Sequence, residues 1–286
     1  MKLKSGIASV MLFIIVVVSS CSKSSTKEDI PLPAVEDLNV SYGNHHFNTL
    51  DLYLPANRTA DTKTIILLHG GFWAQGDKQE LTNYAKLFQS QGFAVANINY
   101  RLTNTSENNI HPAQVLDIQK AIDFISLNAG EWKVSSDQMA LIGASSGAHL
   151  ALLYTFAYNA DNKVKTVVSI AGPTNLTDPR NISTIQQQAV GLLIGSAFED
   201  NPSAYAQASP ITHIKASSKP TLLIHGKKDM IVPYHQAEDC KAKLDQFNVE
   251  NKLVQFEDLG HDDIINQQNS TIVLLEIINW INSTID

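Results

Sequence analysis

Two short segments near the start of the chain alternate apolar and polar residues. They are 38–42 and 50–55, and Gly43 and Asn44 lie between them. Alternation predicts a strand with one buried face, and a turn pair between two such runs predicts a hairpin. We therefore expect an antiparallel pair of strands at one edge of a sheet.

Runs that are almost entirely apolar follow, and they alternate with segments of helical periodicity. Such runs predict strands buried on both faces, and apolar residues at helical spacing predict amphipathic helices. The alternation predicts an α/β fold with a mostly parallel central sheet, helices on both faces and a site at the carboxyl ends of the strands. The predicted strands are 64–68, 94–100, 138–142, 164–171, 221–225 and 252–256, and the predicted helices are 80–91, one from Pro112, one after residue 147, 236–247 and 269–281.

One segment, 175–209, interrupts this regular order. It is polar, apart from a small apolar group at 190–194. We interpret it as a small insertion, either a cap or a long loop, over the strand ends.

The start of the chain has the pattern of an export signal. Lys2 and Lys4 precede an unbroken apolar run at 10–18, which is shorter than the ~20 residues that span a bilayer and suits a secretory signal peptide. The run ends in Val-Ser-Ser-Cys, which resembles the lipobox of bacterial lipoproteins and implies lipidation of Cys21. The alternative is an ordinary signal peptide with an incidental cysteine.

These features predict three parts: a lipoprotein signal peptide at 1–20, a polar tether at 21–34 and a catalytic domain at 35–286. The protein would be exported and anchored to a membrane by lipid, on the periplasmic or cell-surface side. The sequence does not indicate its oligomeric state.

Composition narrows the functional classes. The chain is 44% hydrophobic and 17% charged, as in globular proteins, and its net charge of −7 argues against a nucleic-acid partner. It has two cysteines, so lipidation of Cys21 would leave Cys240 without a disulfide partner. The chemistry that the motifs below predict requires no metal ion and no cofactor.

The stretch 143–147, Gly-Ala-Ser-Ser-Gly, lies between a predicted strand and an Ala/Leu-rich helix. G-x-S-x-G in that context is the nucleophile-elbow pattern. It would hold the Ser145 hydroxyl beside the N–H groups that open the helix, where negative charge is favoured. The alternative is a Gly/Ser-rich loop without chemistry.

A serine nucleophile needs a base and an acid, which follow it in the order acid, then histidine. His261 comes just after the last predicted strand, where a loop can place its imidazole over the elbow. Asp229 comes after the strand at 221–225 and could accept a hydrogen bond from His261 Nδ1, which would fix the tautomer. The alternative for Asp229 is a cap on the following helix.

Other histidines and acids compete for these roles. We expect His149 to pack or bond locally in the elbow helix, His225 to be structural and His235 to be solvated. The acids nearest His261 in sequence do not follow the strand that carries Asp229, and we do not expect them to orient the base: Asp258, Asp262 and Asp263.

An oxyanion hole needs backbone donors. The N–H of Ser146 follows the nucleophile, and the stretch His-Gly-Gly-Phe-Trp at 69–73 follows a predicted strand, so Gly71 and Phe72 are the other expected donors. The alternative for this stretch is a simple Gly-Gly turn.

Two aromatic residues and one charged pair lie close to these motifs in the sequence. Trp73 and Tyr100 could line the substrate wall, or could simply pack in the core. Asp77 and Arg101 could pair and brace the stretch 69–73, which we call the oxyanion loop because of its predicted role.

Taken in order, these motifs resemble the α/β-hydrolase esterases of the hormone-sensitive-lipase-like and bacterial feruloyl/acetylxylan esterase groups. The resemblance extends over roughly residues 36–284. It implies that Ser145, Asp229 and His261 form the catalytic triad of an α/β-hydrolase fold. The matching stretches are 67–73, 76–78, 99–102, 143–150, 209–210, 225–229 and 260–261.

Two positions depart from the common pattern of those groups. Phe72 and Ala148 stand where many relatives have a glycine. The first change bears on the number of loop donors and on the shape of the acyl pocket. The HGG-x-W form of the loop also occurs in arylformamidases.

The sequence therefore predicts a serine esterase that works through an acyl-enzyme. Its substrate would be a short-acyl or feruloyl ester, and export suits an acylated polysaccharide. One alternative is an amide hydrolase of the arylformamidase or peptidase type. Another is a non-catalytic surface lipoprotein that binds a ligand on a hydrolase scaffold.

Overall fold

The computed structural model describes residues 31–180, 184–265 and 267–285, so the predicted signal peptide, Cys21 and most of the predicted tether lie outside the described residues. In the described part, the strands alternate with helices as the sequence predicts. The strands are β1 Val35–Ser41, β2 Thr49–Leu54, β3 Thr64–Leu68, β4 Ala94–Ile98, β5 Met139–Ala144, β6 Val164–Ile170, β7 Thr221–Gly226 and β8 Asn251–Phe256. The helices are α1 Thr82–Ser90, α2 Ala113–Trp132, α3 Ser146–Leu153, α4 Thr184–Ile194, α5 Pro202–Gln207, α6 His235–Gln246 and α7 Gln267–Thr284.

The strands form a sheet in the order β1-β2-β4-β3-β5-β6-β7-β8. The pairs β1–β2 and β2–β4 are antiparallel, and every later pair is parallel. The predicted antiparallel edge on a mostly parallel sheet is therefore confirmed. The strand that carries the elbow, β5, lies near the centre, between β3 and β6.

Both faces of the sheet are covered by helices. Successive side chains of a strand point to opposite faces, so each strand contributes to two core clusters. In β3, Ile65 and Leu67 belong to one core cluster, whereas Ile66 and Leu68 belong to the other. Helices α1 and α7 supply the first cluster, and α2, α3 and α6 supply the second. The prediction of helices on both faces is confirmed.

The insertion at 175–209 is a small helical cap rather than a long loop. It contains α4 and α5, and the apolar group at 190–194 is part of α4. The Asn201 side chain caps α5 by accepting from Ala204 N–H. The sequence signal of helix α4 is weak, since polar residues dominate its first half.

Hydrogen bonds fasten the cap to the rest of the domain. Leu176 N–H donates to Ser209 Oγ at 2.8 Å, which closes the base of the insertion. His111 N–H, in the segment after β4, donates to the Leu193 carbonyl at 2.7 Å. The cap is thus bonded to a segment at the carboxyl end of the sheet.

The last residues of the predicted tether contact the domain. Asn57 N–H donates to the Leu32 carbonyl at 2.9 Å, and Arg58 Nη1 donates to the Pro33 carbonyl at 2.6 Å. Among the described helices, none combines the length and the apolar character needed to cross a bilayer.

Candidate active site

Ser145 lies at the sharp turn between β5 and α3. Its backbone has φ 52° and ψ −120°, a conformation that costs a residue with a side chain on the order of 1–3 kcal/mol. Ser145 N–H donates to the Ile170 carbonyl of β6 at 2.8 Å, and the Ser145 carbonyl accepts from His149 N–H at 3.0 Å. The neighbouring strand and helix therefore hold the strained residue in place.

The two glycines of the motif are required by close backbone approach. A Cβ atom on Gly143 would lie 2.3 Å from the backbone of Gly147, and a Cβ atom on Gly147 would lie 2.3 Å from the Leu68 carbonyl. No real Cβ atom tolerates such contacts. The strand–turn–helix is therefore compact enough to bring the end of β3 beside the nucleophile.

The structure brings together the three residues proposed for the triad. His261 Nε2 lies 2.9 Å from Ser145 Oγ, and His261 Nδ1 lies 2.7 Å from Asp229 Oδ2. Both distances are those of hydrogen bonds. With Nδ1–H donating to the carboxylate, Nε2 is free to accept the serine proton.

Asp229 is held from two sides and is 5% exposed. Its Oδ1 accepts from the N–H groups of Ile231 and Val232 at 2.9 and 2.8 Å. Its Oδ2 accepts from His261 and lies 3.3 Å from His225 Nε2, whose N–H also points at the Val232 carbonyl at 2.8 Å. The carboxylate therefore has a fixed orientation before any substrate binds.

Those partners keep Asp229 ionised. Burial by itself raises the pKa of Asp229, but the hydrogen bonds from His225 and His261, the charge of His261 and the Val232 N–H outweigh it and hold this pKa well below its usual range. An ionised carboxylate is what stabilises an imidazolium on His261.

The loops that carry the acid and the base are joined to each other. Asp229 follows β7 and His261 follows β8, and these strands pair in parallel. Lys228 N–H donates to the Leu259 carbonyl at 3.1 Å, one bond between the two loops. Gly260 N–H donates to Asp263 Oδ2 at 2.9 Å, so Asp263 stabilises the histidine loop.

The expected oxyanion donors lie on two elements beside Ser145. Ser146 is the first residue of α3, so its N–H has no acceptor within the helix. The loop after β3 packs on the elbow, since a Cβ atom on Gly70 would lie 3.4 Å from Ser145 Cβ. Among the described residues, no acceptor takes the N–H of Gly71 or Phe72. That Gly71 and Phe72 are oxyanion donors therefore stays a prediction.

The family model BD-FAE matches residues 50–244. The chain belongs to the BD-FAE family. The matched range begins in β2 and ends in α6, and it includes the elbow, the oxyanion loop and Asp229, whereas His261 lies beyond it.

The chain is also similar to two proteins that are named as ester hydrolases. The probable carboxylic ester hydrolase LipM of Mycobacterium tuberculosis is 27% identical over 234 residues, which are 73% of this chain and 52% of LipM. The esterase LipQ of the same organism is 26% identical over 69% of this chain and 49% of LipQ. This BD-FAE member thus spans about half the length of the curated relatives it matches.

The fold is also that of solved esterases. A truncated carbohydrate esterase from gut microbiota superimposes with a TM-score of 0.76 at 22% identity, over 87% of this chain and 96% of that one. A bifunctional GH43-CE protein from Bacteroides eggerthii gives a TM-score of 0.75 at 24% identity, over 87% of this chain and 35% of that one. At these identities the likeness establishes the α/β-hydrolase fold alone, as the BD-FAE match leads one to expect.

Of the two alternatives for Trp73 and Tyr100, a substrate wall or packing in the core, the structure shows packing in the core. Trp73 is 2% exposed and Tyr100 is 0% exposed. The Tyr100 hydroxyl donates to the His69 carbonyl at 2.7 Å, and its ring stacks on the His69 imidazole at 4.4 Å between centroids. Both side chains are core residues of this BD-FAE protein.

Asp77 and Arg101 could have paired, but each has a different partner in the structure. The Arg101 guanidinium binds the buried Asp117 carboxylate through Nε at 2.8 Å and Nη2 at 2.9 Å. Asp77 instead accepts from Asn99 Nδ2 at 2.8 Å and caps the short helical turn that follows it. Asn99 at the end of β4, rather than an arginine, braces the exit of the oxyanion loop.

The other histidines are also placed. His149 is fully buried and hydrogen-bonded, as expected for a local packing role. His235 is half-buried, with Nε2 3.4 Å from Asp178 Oδ2, so the expectation that it is solvated is wrong.

Sequence reasoning missed the contact of His225 with Asp229, although the spacing of four residues across a tight turn could have indicated it.

Proposed function

We propose that this protein is a serine esterase that hydrolyses carboxylic esters through an acyl-enzyme. The observation that carries the proposal is the chain of two hydrogen bonds from Asp229 through His261 to Ser145, at 2.7 and 2.9 Å. The BD-FAE match and the ester-hydrolase names of the curated relatives support it. A lone serine in a strained turn would support no more than a structural role.

The first half of the reaction forms the acyl-enzyme. Ser145 Oγ attacks the ester carbonyl carbon while its proton passes to His261 Nε2. The carbonyl oxygen becomes an oxyanion and accepts from the N–H groups of Gly71, Phe72 and Ser146. The imidazolium then gives its proton to the leaving alkoxide as the carbon–oxygen bond breaks, and the alcohol departs.

The second half repeats these steps with water. His261 takes a proton from the water, whose oxygen attacks the acyl carbon, and the same N–H groups hold the new oxyanion. The proton returns to Ser145 Oγ as the acyl–serine bond breaks, and the carboxylic acid is released. Asp229 stays ionised throughout and stabilises the imidazolium in both halves.

We further propose that the alcohol part of the substrate is a carbohydrate that carries short acyl or feruloyl groups. One of the solved structures that share the fold is named as a carbohydrate esterase, which supports this class. The expected export of the chain supports it too, because an acylated polysaccharide is too large to enter a cell.

A panel of substrates tests both levels of the proposal. We expect hydrolysis of acetyl, butyryl or feruloyl esters, and release of acid from acetylated xylan or feruloylated arabinoxylan, with slower turnover of octanoyl esters. An N-formyl aryl amide and a peptide anilide test the amide alternative, and preferential cleavage of either would contradict the ester assignment. Failure of a fluorophosphonate probe to label the protein would favour the non-catalytic binding alternative.

We also propose that the protein is exported and anchored through lipid on Cys21. Bilayer anchoring through lipid takes more than one acyl chain, at ~0.8 kcal/mol per buried CH₂. We expect metabolic labelling of the wild type by an alkyne fatty acid and its recovery with membranes. Cys21→Ser should abolish the label, and a truncated protein that starts at Ala34 should be active and free of membranes. Retention of that truncated protein in the membrane fraction would contradict lipid as the anchor.

A further inference from the structure

The oxyanion loop has an unusual backbone. Gly71, Phe72 and Trp73 have φ values of 111°, 53° and 60°, so three consecutive residues occupy the left-handed half of conformational space. Residues with a side chain rarely adopt it, and they persist there only where surrounding contacts over-determine them. Something must therefore hold Phe72 and Trp73.

Trp73 supplies part of that restraint through both its backbone and its side chain. Its carbonyl accepts from Thr103 N–H at 2.7 Å. Its indole Nε1–H donates to His149 Nδ1 at 3.1 Å, and the two rings meet edge to face with 5.1 Å between centroids. The side chain is buried, so no water competes for this bond.

His149 passes the restraint on to a third element. Its Nε2 lies 2.7 Å from the Ala208 carbonyl, in the segment that ends the cap. Because Nδ1 accepts from Trp73, the single proton of the neutral ring is on Nε2 and donates to Ala208. Burial lowers the pKa of His149 to about 3, so the ring remains neutral in the working range.

His149 lies on the helix that also carries one of the expected oxyanion donors. Helix α3 begins at Ser146, whose N–H is one expected oxyanion donor, and His149 lies one turn later on the same helix. Trp73 directly follows Phe72, the last expected donor of the loop. The Trp73–His149 bond therefore joins the two elements that carry the separate donors.

We propose that Trp73 and His149 are positioning residues, and that the hydrogen bond between them sets the spacing between the loop donors and the Ser146 donor. This inference rests on the proposed esterase function. It assigns to two buried core residues an effect on the transition state, without contact between either side chain and the substrate.

Trp73→Phe removes the indole donor and keeps an aromatic ring in the core. We expect kcat for a small ester to fall about 10- to 100-fold, because displacement of donors by a fraction of an ångström to 1 Å has effects of that order, while KM changes less than about twofold. A purely structural role would lower the melting temperature and leave kcat per folded molecule at the wild-type value.

Trp280→Phe is the matched control. Trp280 is also buried, and its Nε1–H also donates to a side chain, Thr166 Oγ1 at 2.8 Å. This bond joins α7 to the first half of β6 and involves neither of the elements that carry the expected donors. The Trp280→Phe variant should lose thermal stability as Trp73→Phe does, but should keep the wild-type kcat. Equal loss of kcat in both variants, or wild-type kcat in Trp73→Phe, would overturn the proposal.

Two substitutions of His149 separate its two bonds. In His149→Asn the amide oxygen can replace Nδ1 as the acceptor from Trp73, whereas in His149→Gln the amide nitrogen can replace Nε2 as the donor to Ala208. We expect the asparagine variant to keep the higher kcat, since it keeps the bond that joins the donors. The reverse order would show that the link to Ala208 matters instead.

A measurement on the wild type covers the case in which variants do not fold. ¹⁵N imidazole spectra should report a neutral His149 protonated at Nε2, with Nδ1 as acceptor. The opposite tautomer would overturn the proposal. Failure of the esterase function itself is distinguishable, because it would appear as a wild type without Ser145-dependent turnover.

Discussion

Replacing Ser145 with alanine should abolish nearly all esterase activity while the protein remains folded. We expect kcat to fall by roughly 10⁴-fold or more, because the members of a triad act as a unit and the remainder comes from binding and the oxyanion hole. The Ser145 hydroxyl is hydrogen-bonded to His261 Nε2 at 2.9 Å, so its loss affects chemistry far more than stability. The measurement is the initial rate of hydrolysis of an acetyl ester, with enzyme that circular dichroism has shown to be folded.

A second substitution at the same position measures the strain of the elbow. Ser145→Gly should be as inactive as Ser145→Ala, yet more stable by about 1 kcal/mol, because glycine adopts φ 52° and ψ −120° without a Cβ clash. Ser90→Ala, on the exposed end of α1, is the control and should match the wild type. Retention of most of the activity by Ser145→Ala would contradict the assignment of the nucleophile.

The parts of the site that follow from local geometry were predictable from sequence. G-x-S-x-G admits one compact strand–turn–helix, because Gly143 and Gly147 approach other backbone too closely for any side chain. Parallel strands place their carboxyl ends together, so residues that follow β5, β7 and β8 had to meet at one edge. The spatial convergence of Ser145, Asp229 and His261 follows from these two facts.

What could not be predicted is the choice of partner among groups that are all nearby. Arg101 was free to meet Asp77 or Asp117, and the interior position of Asp117 on α2 decided between them because a buried carboxylate must be paired. The burial of Trp73 depended likewise on the turn of a loop with unusual φ values. Sequence periodicity carries no information on either choice.

The contact of His225 with Asp229 is a related case. His225 ends a buried strand, and the sequence alone indicates a structural residue. It is structural, yet its Nε2 lies 3.3 Å from the carboxylate of the proposed acid, because the turn after β7 folds back on itself. A residue can thus support the fold and the proposed site together, and only the path of the turn reveals it.

Replacing Asp229 with asparagine should reduce kcat about 10⁴-fold, for a reason that the structure makes specific. The N–H groups of Ile231 and Val232 donate to Oδ1, so the amide oxygen of asparagine must take that position and its NH₂ group must face His261. His261 Nδ1 then has to accept, which moves the ring proton to Nε2 and prevents acceptance from Ser145. Asp258→Asn is the matched control, since that exposed carboxylate near the same loop pairs with Lys228.

The same variant should change the pH profile of kcat/KM. Because the pKa of Asp229 lies well below its usual range, the wild-type carboxylate stays charged as the pH falls. The acid limb of the wild-type kcat/KM profile therefore reports protonation of the base. An asparagine amide carries no charge at any pH, so the acid limb of the Asp229→Asn variant should differ in position from that of the wild type. An unchanged limb, or a variant with wild-type kcat, would contradict the role of Asp229 as the orienting acid.

Unfolding in acid must be separated from this effect. The pKa of His149 lies at about 3 in the folded protein against 6.5 in its unperturbed state, so the unfolded chain binds this proton first. The stability that the neutral ring provides is complete above pH ~6.5 and is lost progressively as the pH falls toward 3. Far-UV circular dichroism at each pH therefore has to show a folded protein before a decline in kcat/KM is assigned to His261, and a decline that follows the loss of ellipticity would belong to His149 and the core instead.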